Sequence, residues 1–229
     1  MFLRGVLFAV LCAPIAAPIA AFGGTVVGKV EMPAAPERPP VQTKGFLDRM
    51  PNPISPVKPV ATTPYLVVVL EADDKPPTAG PVSWDLVGDS FAKPVLVAPV
   101  GAEVIIKNTA KQARSLDAVE DAKLVPGGPL NPNGTKSFRL PQAGKIYTIG
   151  DHDAPYLKGV IAVVNTSYIA SVDPAGKFEI TDIPPGGYKL RLFYKDHWTD
   201  VSQTVDVPAK GKAEPTVKLT AWADAKASK

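Results

Sequence analysis

Apolar residues in this chain recur in short runs of strand length, separated by turn residues. Gly24–Glu31 (G-T-V-V-G-K-V-E) alternates in the two-residue period of a first strand. Tyr65–Glu71 (Y-L-V-V-V-L-E) is apolar without alternation, the mark of a strand covered on both faces. Val82–Val87, Val95–Pro99 and Glu103–Asn108 are three further strands, the last two parted at Pro99–Gly101. Ala110–Leu124 is polar and weakly periodic, so it reads as a helical turn or a loop. Ser137–Leu140 and Lys145–Ile149 read as an antiparallel pair across Pro141–Gly144. Lys145–Ile149 is then joined to Val160–Val164 by a polar loop that holds His152, one of only two histidines.

From Tyr168 onward a second alternating series begins. It is punctuated by Asp173-Pro174-Ala175-Gly176, whose residues suit a type I turn, and by Pro184-Pro185-Gly186-Gly187. Asp200–Val207 and Thr216–Thr220 add two strands, and Ala223–Lys229 is a small, charged tail. Asn131-Pro132-Asn133-Gly134 is a turn of the first series, with proline second and glycine fourth.

Two stretches break the pattern. Pro33–Pro64 carries nine prolines. Proline lacks the amide donor and restricts the residue before it, so this stretch reads as an extended insertion, with Phe46, Leu47 and Met50 able to pack along the domain. Residues 1–21 have the layout of a secretory signal peptide: Arg4, the apolar run Val6–Ala13, then Ile19-Ala20-Ala21. Cleavage there removes Cys12, the only cysteine, and leaves no membrane span and no thiolate. Leu11 ahead of Cys12 argues against lipidation. The expected location is periplasmic or secreted.

The 26 prolines and 18 glycines favour turns over long helices, and 45% apolar residues suffice for a core without disulfides. Without Arg4 the balance is 24 basic to 22 acidic residues, too even to call for nucleic acid or an anionic membrane.

Asp173, Gly176, Phe178, Ile180, Ile183-Pro184, Gly186, Tyr188, Leu190 and Leu192 together resemble the carboxypeptidase regulatory-like family, a small transthyretin-like β-sandwich. That resemblance implies an accessory domain without catalysis. Ala98-Pro99 with Gly101, the strand ending in Asn108, Gly144 with Tyr147, and the closing run Gly159–Val164 resemble the plastocyanin-like domains of methylamine-utilisation-like exported proteins, which are cupredoxins. Aligned on Asn108, Arg114 falls where that family has a copper-binding histidine. Aligned on Pro155 and Gly159, Asp151, Ala154 and Leu157 fall at its cysteine, second histidine and methionine. A blue-copper site needs a thiolate and two imidazoles, so the resemblance implies the fold without its metal.

The expected fold is therefore all-β: a cupredoxin-like Greek-key sandwich over 22–166 with a proline-rich insertion at 33–64, then a small transthyretin-like sandwich over 167–222 and a tail at 223–229. Strand Gly24–Glu31 is left free to pair into either sandwich. No nucleophile elbow or phosphate loop is present in the sequence. Asp151-His152-Asp153 could hold a weak zinc or copper ion or poise a histidine for proton transfer, but adjacent residues of an extended chain point to opposite faces, which favours a solvated loop histidine. The expected function is a non-enzymatic binding or scaffold protein of the bacterial envelope, needing no cofactor, with an envelope protein or a polysaccharide as partner. A periplasmic copper-binding or electron-transfer protein is the alternative that the resemblance implies.

Candidate binding residues are Arg114, Asp151, His152, Tyr156 and Leu157. Arg114 and Asp151 are expected to face each other as a charged pair bridging two loops, with Tyr156 and Leu157 exposed beside them. His152 and His197 read as surface residues. Trp84, Trp198 and Trp222 with Tyr156 and Tyr194 could form a sugar platform, though isolated aromatics in a β-sandwich read first as core or edge packing.

Overall fold

The computed structural model describes residues 23–34, 61–72 and 80–222. The signal-like segment, Phe46, Leu47, Met50 and the tail lie outside the described residues. Among those described the fold is all-β: sixteen strands form four sheets of four, and the helical content is one 3₁₀ turn, Thr63–Tyr65.

The strands β3 (Val82–Val87), β4 (Ser90–Phe91), β6 (Glu103–Asn108) and β8 (Thr135–Arg139) make one sheet in the order β4-β3-β6-β8. The facing sheet, β5-β10-β9-β7, takes β5 (Val95–Pro99), β7 (Leu116–Ala118), β9 (Ile146–Asp151) and β10 (Lys158–Val164). Between them lies a core that includes Trp84, Leu86, Ile106, Ile149 and Ile161. Trp84 stacks on Phe91 with centroids 3.9 Å apart, and its indole N–H donates to the Lys93 carbonyl at 2.7 Å. Gly159 makes that stack possible, since a Cβ there would sit 2.5 Å from Trp84.

The second sandwich pairs β1 (Gly24–Glu31) with β12 (Lys177–Ile183), β15 (Lys212–Ala213) and β16 (Thr216–Lys218). Its other sheet runs β11-β2-β13-β14, from Ile169–Ser171, Leu66–Glu71, Gly186–Tyr194 and His197–Val207. The Asp173–Gly176 turn forms as expected: Gly176 N–H donates to the Asp173 carbonyl at 2.9 Å, and Asp173 Oδ1 accepts from Ala175 and Lys177 N–H. Gly176 has φ +81, and a Cβ on it would lie 2.4 Å from the Val30 carbonyl oxygen, so only glycine lets this turn press against β1.

The two sandwiches stack into four layers. Leu66, Val68 and Leu70 of β2 point into the second sandwich, whereas Val67 and Val69 join Val95, Val97, Ala162, Val164 and Phe193 in a third apolar core between the sandwiches. This is the physical reason for an unalternated run in β2: both faces are covered.

Three expectations change. The boundary at 166/167, with residues 22–71 in the first unit, does not follow the sheets. β1 and β2 both pair into the second sandwich, so the sandwich over 82–164 is inserted into one assembled from 24–31, 66–71 and 169–218. Next, Ser137–Leu140 and Lys145–Ile149 do not pair. β8 pairs with β6, β9 pairs with β10 and β7, and the turn between them crosses from one sheet to the other, held by Gly144 N–H on the Val163 carbonyl. Finally, the polar stretch 110–124 contains strand β7, whose Leu116 and Ala118 are buried while Asp117 faces out.

Candidate functional site

At one end of the inserted sandwich, the loop after β6, the β3–β4 hairpin tip and the loop after β9 converge. Asn108 organises the first of these. Fully buried, it uses its amide to donate to the carbonyls of Gln112 at 2.8 Å and Leu130 at 2.9 Å, and its Oδ1 accepts from Ala110 N–H at 2.9 Å. Two backbone hydrogen bonds between Arg114 and Leu130 then fix where the arginine side chain departs. The loop after β9 curls on itself: Asp151 N–H donates to the Leu157 carbonyl, Leu157 N–H to Ala154, and His152 N–H to Ser115.

These two frames bring Arg114 to Asp151. The guanidinium Nη1 lies 3.5 Å from Asp151 Oδ2, with side-chain exposures of 5% and 1%. The expected pair across the loops is present. Sequence reasoning missed its third member: Nη2 of Arg114 donates to Asp89 Oδ1 at the hairpin tip, whose side chain is 67% exposed. Val87-Gly88-Asp89-Ser90 has the composition of a hairpin tip, but nothing local says that it reaches residue 114.

Burial pulls the Arg114 pKa down. Hydrogen bonding to Tyr156 and Asp89, and the charges of Asp89 and Asp151, more than offset this and hold it above its ordinary value. The buried pair is incompletely hydrogen-bonded, because Arg114 Nε and Asp151 Oδ2 have no hydrogen-bond partner. Asp151 Oδ1 accepts instead from Asp153 N–H at 2.9 Å. The Arg114–Asp151 contact is thus chiefly coulombic, between side chains with little exposure to screening solvent. A 380 Å³ pocket lies beside it, lined by Asp89, Thr109, Lys111, Gln112 and Arg114 among others.

The other candidates separate. Tyr156 is 70% exposed on the rim, with its hydroxyl toward Arg114. The His152 imidazole is 81% exposed and 3.7 Å from Asp153, so Asp151, His152 and Asp153 do not converge. Leu157, expected to be exposed, is fully buried in the core of the inserted sandwich and has no surface to offer a partner. The curl of the loop turns it inward, which alternation along the chain does not reveal. His197, expected at the surface, is partly buried: Asp196 Oδ1 is 2.9 Å from its Nδ1, and its ring meets the edge of Tyr194. The aromatic residues share no platform, since Trp84 and Tyr194 are buried in different cores.

The donor set does not fit copper. A guanidinium has no lone pair to give and repels a cation, Ala154 and Leu157 carry no donor atom, and the Asp151 carboxylate faces Arg114. Among the described residues no three His, Cys, Asp or Glu side chains gather closely enough to hold a metal ion, and no helix is long and apolar enough to cross a membrane.

No family model matches this chain, nor does any curated protein. Among solved structures it is similar to a purple cupredoxin from Nitrosopumilus maritimus at 16% identity, over 36% of this chain and 98% of that one, with a TM-score of 0.32. It is also similar to a reduced amicyanin mutant at 19% identity and to a Cu(I) amicyanin mutant at 18%, each over 42% of this chain and 97% of the other, with TM-scores of 0.33.

Proposed function

We propose that this is an exported, non-enzymatic binding or scaffold protein of the cell envelope, which holds a partner at the loop end of the inserted sandwich. The observation that carries this reading is a charge cluster, buried at Arg114 and Asp151 and open to solvent at Asp89, with an exposed apolar rim. Arg114, Asp151 and Asp89 tie three loops into one surface, and two of the three large apolar side chains that stand exposed among the described residues, Val87 and Tyr156, belong to those same loops. An exposed tyrosine beside an arginine matches the aromatic and arginine enrichment of interface centres. The signal-like segment at 1–21 supports export.

The test is cross-linking and capture from envelope extracts of the native host with wild type, Tyr156→Ala and Val119→Ala. Val119 is exposed but sits along the edge of the sheet rather than at this end. The expected result is one partner captured by wild type and Val119→Ala and lost by at least about tenfold with Tyr156→Ala, a loss of the size typical of interface anchors, at unchanged melting temperature. Equal capture by Tyr156→Ala overturns the assignment of the site.

A further inference from the structure

A second feature lies away from that end, in the cleft where the sandwiches part. On the face of β13 turned toward the inserted sandwich, residues alternate as Gly187, Lys189, Arg191 and Phe193. Cross-strand pairing sets Lys189 opposite Glu71 of β2 and Thr204 of β14, and Phe193 opposite Val67 and Trp198. One face of one sheet is therefore apolar at one end, where it joins the core between the sandwiches, and charged at the other. Over the charged half the sandwiches separate, leaving a cleft of 710 Å³ that Asn165 lines from the connection between them. That volume suits a small-molecule ligand.

The cleft is pre-organised. Arg191 donates from Nη1 to Glu71 Oε1 at 3.0 Å, and its guanidinium lies 4.2 Å from the centroid of Trp198, which in turn meets Phe193 edge to face. The charge of Arg191 is matched by Glu71. Lys189 is exposed at the cleft and has no ion-pair partner within 4 Å among the described residues: Glu71 opposite it is taken by Arg191, and Asp206, diagonal to it on β14, holds its carboxylate over Gly187. One unmatched cation, set among a carboxylate, an amide and a hydroxyl, is complementary to one anionic group carried on a body rich in hydroxyls. We propose that this cleft binds a carboxylate-bearing sugar, a hexuronate unit of an acidic polysaccharide. Lys189 takes the carboxylate, and Glu71, Asn165 and Thr204 take hydroxyls.

The experiment titrates the mature chain with trigalacturonate, maltotriose and sulfate, reading tryptophan fluorescence and calorimetric heat. The variants are Lys189→Glu and, at the distant loop end, Tyr156→Ala. The proposal expects saturable trigalacturonate binding, at least tenfold weaker maltotriose binding, no competition by equimolar sulfate, at least tenfold loss in Lys189→Glu, and no change in Tyr156→Ala. Because Lys189 is exposed, Lys189→Glu keeps the fold, which an unchanged melting temperature verifies. Absence of saturable binding, unchanged binding in Lys189→Glu, or equal competition by sulfate would each overturn it. Loss in Tyr156→Ala would place the ligand at the other end and also overturn it.

Discussion

Among the described residues two arginines face carboxylates, and they differ in what surrounds them. Arg114 is 95% buried, holds Asp151 and Asp89 at once, and adds a charged link to loops that backbone hydrogen bonds already bring together. Arg191 lies in a strand, is 29% exposed, and has one carboxylate partner and an aromatic ring to rest on. The sheet would hold its shape without Arg191; the loop end without Arg114 would be left with a buried, unpaired Asp151. The same chemical pair is thus a clasp in one place and a poised surface group in the other, and burial decides which.

The sharpest way to break the comparison is Arg114→Met. It leaves Asp151 buried without its counter-charge, and removing one partner of a buried pair costs about 3–5 kcal/mol. Denaturant unfolding would measure it. Arg114→Asp and Asp151→Arg should each destabilise comparably, and the double reversal should recover part of the loss. Recovery is incomplete because Asp89 keeps its charge and would repel an aspartate at 114. Simple additivity would show that the two residues are not coupled.

A smaller effect is expected at the second arginine. Glu71→Gln removes a partly exposed pair and should cost about 0–1 kcal/mol, an effect that shrinks further as salt rises. A loss as large as that at Arg114 would mean that the cleft is structural. The smallest expected effect is none: Cu(II) added to a chain of residues 22–229, which has no cysteine, should produce no intense visible thiolate-to-copper band, because the positions around Arg114 supply no such donors. An intense blue colour would contradict the reading of that end.

Much of this was legible in the residues. The unalternated β2 run announced a strand covered on both faces, and Asp173–Gly176 announced its turn. The resemblance put Arg114 and Asp151 on loops that the fold brings together, and opposite charge did the rest. What was not legible is non-local. Whether β1 pairs forward or across 150 residues depends on partners that local periodicity cannot name. The burial of Leu157 depends on a curl made by backbone hydrogen bonds. Asp89 meets Arg114 from a different loop, and Lys189 stands opposite Glu71 of β2, far away in sequence, so no local pattern shows either placement.

The insertion of one sandwich into the other has a mechanical consequence. Residues 72 and 169, where the chain leaves and re-enters the second sandwich, flank β2 and β11, which are hydrogen-bonded neighbours. Tension applied at the two ends of the described fold enters through β1 and the segment after β16, both in the outer sandwich. It enters the backbone of residues 82–164 only after β2 and β11 have been pulled apart. The loop end with Arg114 and Tyr156 therefore lies off the backbone path of that tension while the outer sandwich stays paired.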